Sequence, residues 1–220
     1  METTKTKLAD LATENPAASR VFHARGLDYC CGGQRSLEEA CRERSLDPDE
    51  ILREIGQESR DSEEEKNWTQ RPLGELIDFI VHRYHDTLRS ELPQLVQLAE
   101  KVETKHAEKE SCPVGLTAHL RLVHEAVLDH LQKEEQILFP LIRSGMGSQT
   151  AGPVQVMESE HHEHAQNLRR TRELAHDLVP PDEACTSWRA LYLRLHELEA
   201  ELMEHIHLEN NVLFPRALCE

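Results

Sequence analysis

Apolar residues recur every three or four positions over most of the chain after residue 72, which predicts long amphipathic helices. Four such helices are predicted, from about Pro72 past Leu98, from Pro113 to about Arg143, from near Pro153 to Leu178 and from about Asp182 to Ala217. The short connections on either side of the third helix make successive helices antiparallel neighbours. The pattern therefore predicts an up-down four-helix bundle over residues 72–220.

Residues 1–56 show shorter apolar stretches, separated by signals that start and stop helices. Pro16 begins one predicted helix that Gly26 ends, Ser36 opens a capping box for the next, and Asp47 caps a third. We interpret this part as a small helical domain of an all-α protein. It carries a cysteine-bearing turn, DYCCGG at 28–33, and the polar, acidic residues 57–71 are predicted to be a linker.

The composition supports helices and narrows the classes of function. Aromatic residues make up 4% of the chain and charged residues 30%, which favours helices over sheets. The net charge of −16 repels phosphate backbones and anionic lipids, so we expect no nucleic acid and no membrane as a partner. No long apolar run and no apolar signal-peptide core occur, so we expect a cytoplasmic protein whose six cysteines are thiols.

One motif occurs twice, as HLQKEEQILFP at 130–140 and as HIHLENNVLFP at 205–215. Both copies contain H-x-x-x-E-x-x-x-L-F-P, and in both the histidine and the glutamate continue the apolar seam, which Ile137 and Val212 are expected to extend. A spacing of four places both side chains on one helix face. A buried carboxylate needs a compensating partner, and two facing glutamates would repel each other unless metal ions lay between them. The Leu-Phe-Pro ends are expected to pack the bundle end, with proline bending or stopping each helix.

The other two helices carry one inward-facing histidine each, His85 and His161, placed by the same apolar periodicity. Four imidazoles and two carboxylates without a thiolate suit iron or manganese better than a structural zinc site. Each of the two glutamates can bridge two metal ions. Each metal ion then keeps open coordination positions for an oxo or hydroxo bridge and for O₂ or NO. The predicted metal ligands are His85, His130, Glu134, His161, His205 and Glu209.

The remaining histidines are expected to have lesser roles. His124 and His164 lie near the seam and are candidates for supporting or substitute ligands. An alternative interpretation is that the inward histidines are ordinary core residues and that the bundle is a metal-free interaction module. Five other histidines are expected to be solvated, namely His106, His119, His176, His196 and His207.

Several stretches resemble the hemerythrin-like di-iron domain, and more closely the iron–sulfur cluster repair di-iron proteins. They are RYHDTLRSELPQL at 83–95, HLQKEEQILFPLIRSGMGSQ at 130–149, GPVQVMESEHHEH at 152–164, HIHLENNVLFPRAL at 205–218 and DYCCGG at 28–33. The resemblance covers nearly the whole chain and places the family's iron ligands on the same six residues. The chain lacks the fifth histidine of oxygen-carrying hemerythrins, which argues against simple O₂ transport.

This resemblance implies two non-haem iron ions and a role in repairing iron–sulfur clusters damaged by nitric oxide or oxidants. The implied partners are damaged iron–sulfur proteins or cluster-assembly proteins, with NO or O₂ as a small ligand. A non-catalytic di-iron module that senses or stores NO or O₂ is the alternative function. The sequence leaves open whether iron is donated or NO is reduced, and so whether the protein is an enzyme. It also leaves the oligomeric state open, a homodimer included.

The adjacent cysteines Cys30 and Cys31 cannot easily form an unstrained disulfide with each other. The two glycines after them are expected to let the backbone turn tightly and expose the thiols. We expect this pair to transfer iron or to exchange with another thiol. The alternative is one buried and one idle cysteine. The other cysteines, Cys41, Cys112, Cys185 and Cys219, show no ligand spacing.

Overall fold

The computed structural model describes residues 3–61 and 68–219. Helices dominate these residues, and the β-structure found in them is one isolated antiparallel bridge between Lys7 and Ser36. The predicted all-α class is confirmed. Among the same residues, no helix is both long enough and apolar enough to cross a membrane.

The helices follow the sequence pattern closely but are interrupted more often than it predicts. Three π-helical turns occur within the described residues, at Val81–His85, Glu134–Leu138 and Glu209–Leu213, and a 3-10 turn occurs at His176–Leu178. In chain order the α-helices are α1 (Leu8–Glu14), α2 (Pro16–Ala24), α3 (Leu37–Arg44), α4 (Pro48–Asp61), α5 (Leu73–Ile80), α6 (Asp86–His106), α7 (Leu116–Lys133), α8 (Phe139–Arg143), α9 (Gly147–Leu174), α10 (Thr186–Leu208) and α11 (Phe214–Cys219).

The chain divides into two compact units, of which residues 78–140 and 152–202 form one. This unit is a four-helix bundle built on α6, α7, α9 and α10, whose inward leucines and valines are buried, as the apolar periodicity predicts. Helices α6 and α7 pack directly on each other. Ion pairs join the remaining neighbours, Lys133 with Glu160, Arg172 with Glu199 and Glu91 with Arg194.

The second unit contains residues 1–77, 141–151 and 203–220. Its core is built by α1 to α4, and the half-buried Met203 of α10 packs against it. The predicted helix signals act as expected, since Ser36 forms the capping box of α3 and Gly26 takes a positive φ of 66° after α2. Asp47 also accepts a hydrogen bond at the start of α4, with 2.9 Å from the nitrogen of Asp49 to its Oδ1.

Some predicted boundaries differ from the observed ones. Helix α9 begins at Gly147 and contains Pro153, because Gly145, with a φ of 68°, turns the chain directly after α8 and lets a new helix start earlier. Helix α4 continues to Asp61, into the first residues of the predicted linker. Residues 62–67 of that linker lie outside the described residues, so the linker and the domain limits at 56 and 72 stay predictions.

Two of the π-helical turns have a cause that the sequence carries. The rings of Pro140 and Pro215 would clash with the carbonyls of Gln136 and Asn211, four residues earlier, in a regular helix. In both places the chain instead forms the wider π hydrogen bond, from Phe139 N–H to the Glu134 carbonyl and, in the second copy, to the Glu209 carbonyl. The prolines therefore widen the helices rather than stop them, and α8 and α11 continue beyond.

The extra residue in the π turn changes which side chains face the core. Ile137, expected on the seam, is 53% exposed, whereas Leu138 and Phe139 are buried. The prediction for Ile137 was wrong because it counted a regular helical period through Glu134. Val212 is buried as expected, and so is the second Leu-Phe pair, Leu213 and Phe214.

Candidate metal centre

Three predicted ligand histidines surround one predicted ligand glutamate in the four-helix unit. Glu134, at the start of its π turn, is fully buried, and the three imidazoles are at most 2% exposed. Its Oε2 lies 3.4 Å from Nε2 of His85. Its Oε1 lies 3.3 Å from Nε2 of His130 and 3.9 Å from Nε2 of His161. The structure thus brings together four of the six residues that the seam pattern singled out.

Hydrogen bonds on the outer side of two of these rings fix which nitrogen carries the proton. Nδ1 of His85 lies 2.7 Å from Oε1 of Glu135, and Nδ1 of His130 lies 2.9 Å from Oε2 of Glu160. An ionised carboxylate only accepts, so each Nδ1–H donates to it. With the proton held on Nδ1, the neutral form of each ring turns its Nε2 lone pair toward the carboxylate of Glu134.

Lone pairs facing a buried carboxylate repel it unless a cation lies between them. Neither carboxylate oxygen of Glu134 accepts a hydrogen bond within the described residues. The Nε2 atoms of His130 and His161 are 3.1 Å apart, close to the ~3 Å expected for adjacent ligands bound at about 2.1 Å to one metal ion. The residues present therefore fit a metal ion at this point.

The outer carboxylates are themselves held by basic side chains. Glu135 pairs with Arg89 at 2.8 Å, and Glu160 pairs with Lys133 at 2.5 Å. The hydrogen bond from His130, helped by Lys133 against partial burial, lowers the pKa of Glu160 to about 2. Burial opposes ionisation of Glu135, but the hydrogen bonds from His85 and Arg89 outweigh it and lower its pKa. Both carboxylates are therefore ionised at neutral pH.

Sequence reasoning missed these two outer glutamates. Glu135 directly follows one proposed ligand and Glu160 directly precedes another, so an acidic residue beside a ligand was the available signal. On a regular helix such neighbours point away from the ligand's own face, and the seam pattern ignores them. They reach histidines on neighbouring helices instead.

The second motif copy repeats the local arrangement in the other unit. His205 and Glu209 are both fully buried, and Nε2 of His205 lies 3.1 Å from Oε1 of Glu209. Glu209 begins a π turn, as Glu134 does in the first copy. The second His-x-x-x-Glu pair is therefore buried like the first, and it is not an ordinary solvated pair on a helix surface.

The other histidines follow the predictions only in part. His106 and His119 were predicted to be solvated, but both are half-buried, with a ring nitrogen 2.8 Å and 3.0 Å, respectively, from a backbone carbonyl oxygen. His164 is buried and packs edge-on against His130, with 4.9 Å between ring centroids, as its place near the seam suggests. His176 and His196 are exposed, as predicted. His207 was predicted to be solvated, and this was wrong, because it is 2% exposed and packs on the ring of Tyr29 at 5.4 Å between centroids.

The cysteine-bearing turn is organised around Asp28. Its Oδ1 accepts hydrogen bonds from the backbone nitrogens of Cys31 and Gly32, both at 3.0 Å, and from Sγ of Cys30 at 3.4 Å. Cys30 is buried and Cys31 is half-buried, so the expected exposure of the two thiols was wrong for Cys30. The hydrogen bond to Cys31, together with burial and the nearby charges, raises the pKa of Cys30 well above its usual value. Cys30 is thus a protonated thiol, and the two thiols are not disulfide-bonded.

The glycines of this turn serve close packing. A Cβ atom on Gly33 would lie 2.4 Å from the carbonyl oxygen of Tyr29 and 2.9 Å from Cβ of Ala9. One on Gly32 would lie 2.9 Å from the carbonyl oxygen of Asp28. Neither glycine takes a positive φ. The tight turn expected from the sequence is present, and absence of side-chain bulk is what permits it.

A helical bundle that buries imidazoles around a carboxylate with opposed lone pairs defines a cation-binding protein. The family model described as the hemerythrin HHE cation binding domain matches residues 76–217. The chain therefore belongs to the hemerythrin HHE cation-binding family. A second family model, described as a domain of unknown function (DUF542), matches residues 4–59, the part that carries the cysteine turn.

Relatives match over almost the whole chain. It is 49% identical over 211 residues to the iron–sulfur cluster repair protein YtfE of Dickeya chrysanthemi (strain Ech1591), covering 96% of both chains. It is also 49% identical over 212 residues, again covering 96% of both chains, to the proteins of that name from Escherichia coli O1:K1 / APEC and from Escherichia fergusonii. The resemblance to the iron–sulfur cluster repair proteins is thereby confirmed.

Proposed function

We propose that this chain repairs damaged iron–sulfur clusters and holds a di-iron centre for that purpose. The observation that carries the proposal is the buried carboxylate of Glu134, which accepts no hydrogen bond within the described residues and faces three imidazole Nε2 atoms. Relatives that share 49% of its residues are named as iron–sulfur cluster repair proteins. The metal site gives the chemistry, and the relatives give the biological task.

The proposed centre would hold two iron ions, for which Glu134 and Glu209 would supply the carboxylate ligands. The support is the duplication, since each motif copy buries a histidine and a glutamate four positions apart at the start of a π turn. The cation-binding family model spans both copies. The ligands in this proposal are His85, His130, Glu134, His161, His205 and Glu209.

The protein's own contribution is to prepare the donor atoms. Glu135 and Glu160 hold the protons of His85 and His130 on Nδ1, so that both Nε2 atoms are ready to ligate without losing a proton. Arg89 and Lys133 balance the charge of these outer carboxylates. When bound, the iron ions would supply redox chemistry and open positions for a small molecule such as NO or O₂.

The cysteine turn is proposed to transfer iron or to exchange thiols with the protein under repair. Cys31 is the accessible member of the pair, whereas Cys30 is buried and protonated. The partner in this proposal is an iron–sulfur protein damaged by NO or oxidants, or a cluster-assembly protein, in the cytoplasm. The strongly acidic chain, at −16, disfavours nucleic acid as a competing partner.

The decisive experiment combines metal analysis with a repair assay. We expect about two iron atoms per chain, optical and EPR spectra that change on adding NO, and restored activity of an NO-damaged iron–sulfur enzyme. The Cys30→Ala/Cys31→Ala protein should keep the iron and its spectra but repair more slowly. The matched control is Cys185→Ala/Cys219→Ala, which removes two exposed cysteines and should repair at the wild-type rate.

Two outcomes would contradict parts of this proposal. A purified protein that takes up no iron would refute the metal centre. A protein that binds iron and NO but never restores the damaged enzyme would be a sensor or storage module. If the double cysteine variant repairs as fast as wild type, the transfer role of the thiols fails while the di-iron centre stands.

A further inference from the structure

The backbone of the cysteine turn is held by two side-chain amides from the second motif copy. Nδ2 of Asn211 lies 3.4 Å from the carbonyl oxygen of Tyr29 and 3.3 Å from that of Cys30. Nδ2 of Asn210 lies 3.3 Å from the same Cys30 carbonyl. Both asparagines belong to the π turn that begins at Glu209, and α1 also packs against this turn.

A buried histidine completes the contact. The ring of His207 packs on Tyr29, and its Nδ1 lies 3.0 Å from Nδ2 of Asn211. The amide of Asn211 therefore contacts the ring of His207 as well as the backbone of the turn. Tyr29 itself is 1% exposed, so this contact is buried.

The first motif copy shows that neither metal ligation nor the π turn requires these side chains. Gln132 and Gln136 occupy the positions that correspond to His207 and Asn211, at the same distances from the histidine and the glutamate. Both glutamines are exposed, and their hydrogen bond, at 3.3 Å, is to each other. The second copy thus uses the same two positions to hold another part of the chain.

We propose that Asn210 and Asn211 are positioning residues for the Cys30–Cys31 thiols, holding the turn so that Cys30 stays buried and Cys31 is presented. The amide of Asn211 fixes two successive carbonyls, which sets the direction of the peptide that carries Cys30. The two amides also tie the thiol turn to the helical turn that begins with Glu209, a proposed metal ligand. The use of this placement in repair rests on the proposed function, whereas the placement itself does not.

The test is thiol labelling of the full chain, read cysteine by cysteine by mass spectrometry. The variant is Asn211→Asp, which keeps the size of the side chain but replaces two donors by acceptors facing carbonyl oxygens. In a Cys31→Ser background we expect Cys30 to react with iodoacetamide about tenfold faster, because local opening of the turn no longer breaks hydrogen bonds. Asn210→Asp should act in the same direction with a smaller change.

Two controls separate positioning from general loosening. Gln136→Glu makes the same amide-to-carboxylate change at the corresponding position of the first copy, and it should leave Cys30 labelling unchanged. Cys41 is fully buried in the same core as Tyr29, so its labelling rate reports on opening of that whole core. We expect it to stay at the wild-type rate in Asn211→Asp.

An unchanged Cys30 rate in both asparagine variants would overturn the proposal. An equal rise at Cys41 would also overturn it, since the asparagines would then stabilise the whole core. Iron content is measured on the same samples. A wild-type protein that holds no iron, together with the expected rise in Cys30 labelling in the asparagine variants, would count against the di-iron centre alone, so failure of the proposed function and failure of this inference are distinguishable.

Discussion

The two motif copies share what faces the core and differ in what faces outward. In both, the histidine and the glutamate are buried, the glutamate begins a π turn, and a buried Leu-Phe pair precedes a proline. The residue after the glutamate is Glu135 in one copy and Asn210 in the other. Glu135 accepts a hydrogen bond from His85, whereas Asn210 donates one to the Cys30 carbonyl.

This difference shows that different contacts determine the residues on the inward and the outward faces. The inward histidine and glutamate are proposed to bind metal in both copies, which would account for the residue types and the spacing that the copies share. The outward residues are free to take different tasks, and each copy holds a different neighbour with them. One outward carboxylate orients an imidazole, and the outward amides of the other copy hold a thiol turn.

The largest expected effect tests whether the inward faces are equivalent. We expect Glu134→Ala and Glu209→Ala each to remove half or more of the bound iron, because each loses a proposed carboxylate ligand, and the double variant to bind almost none. Iron per chain, measured by metal analysis, checks this. Gln132→Ala is the control, since that exposed side chain should not matter. Full iron occupancy in the double variant would sink the di-iron assignment.

Acid should release the iron before it unfolds the protein. Ligation needs neutral imidazoles, whose ordinary pKa is about 6.5, so protons compete as the pH falls below that value. Glu160, with a pKa lowered from 4.5 to about 2, gives a stabilising contribution that is complete above about pH 4.5 and is lost only as the pH falls toward 2. At pH 5 we expect lost iron with an unchanged helical circular dichroism spectrum. Retained iron well below pH 5 would argue against four histidine ligands.

The outward faces should differ in their effect on metal affinity. Glu135→Gln should weaken iron binding by roughly 10- to 100-fold, as is usual when the partner of a ligating histidine is changed. Asn210→Ala, at the corresponding position, should leave iron affinity within about twofold. Competition with an iron chelator measures both. Equal losses in the two variants would contradict the division between the copies.

The smallest effect concerns the prolines. Pro140→Ala and Pro215→Ala each remove the ring that clashes with a regular helix, but buried Leu138 and Phe139, or their counterparts, still favour the wider turn. We expect each substitution to change the free energy of unfolding, measured by denaturant titration, by less than about 1 kcal/mol. A much larger loss in either variant would show that packing of the Leu-Phe pair cannot maintain the π turn without the proline.

The sequence predicted the fold class and the bundle well because apolar periodicity is a direct signal of which face is buried. It placed His85, His130, His161 and Glu134 on inward faces, and the structure gathers these residues. The same reasoning applied to His205 and Glu209, which are buried. That all six bind iron remains a prediction.

What the sequence did not reveal depends on contacts between distant segments. Glu160 and Glu135 contact histidines on other helices, and residue spacing along one helix does not predict such contacts. His207 was expected to be solvated, yet its ring packs on Tyr29, which is distant in the sequence. Ile137 was misplaced because a π turn adds one residue to the helical count.

That extra residue matters to anyone who would build this site into another scaffold. An ideal helix carrying only His-x-x-x-Glu would present both side chains, but after the glutamate Ile137 would turn toward the core and Phe139 away from it. The transferable unit is therefore the whole stretch 130–140, proline included, in which Phe139 rather than Ile137 lies in the core. The backbone of a designed host bundle would therefore have to include the π turn.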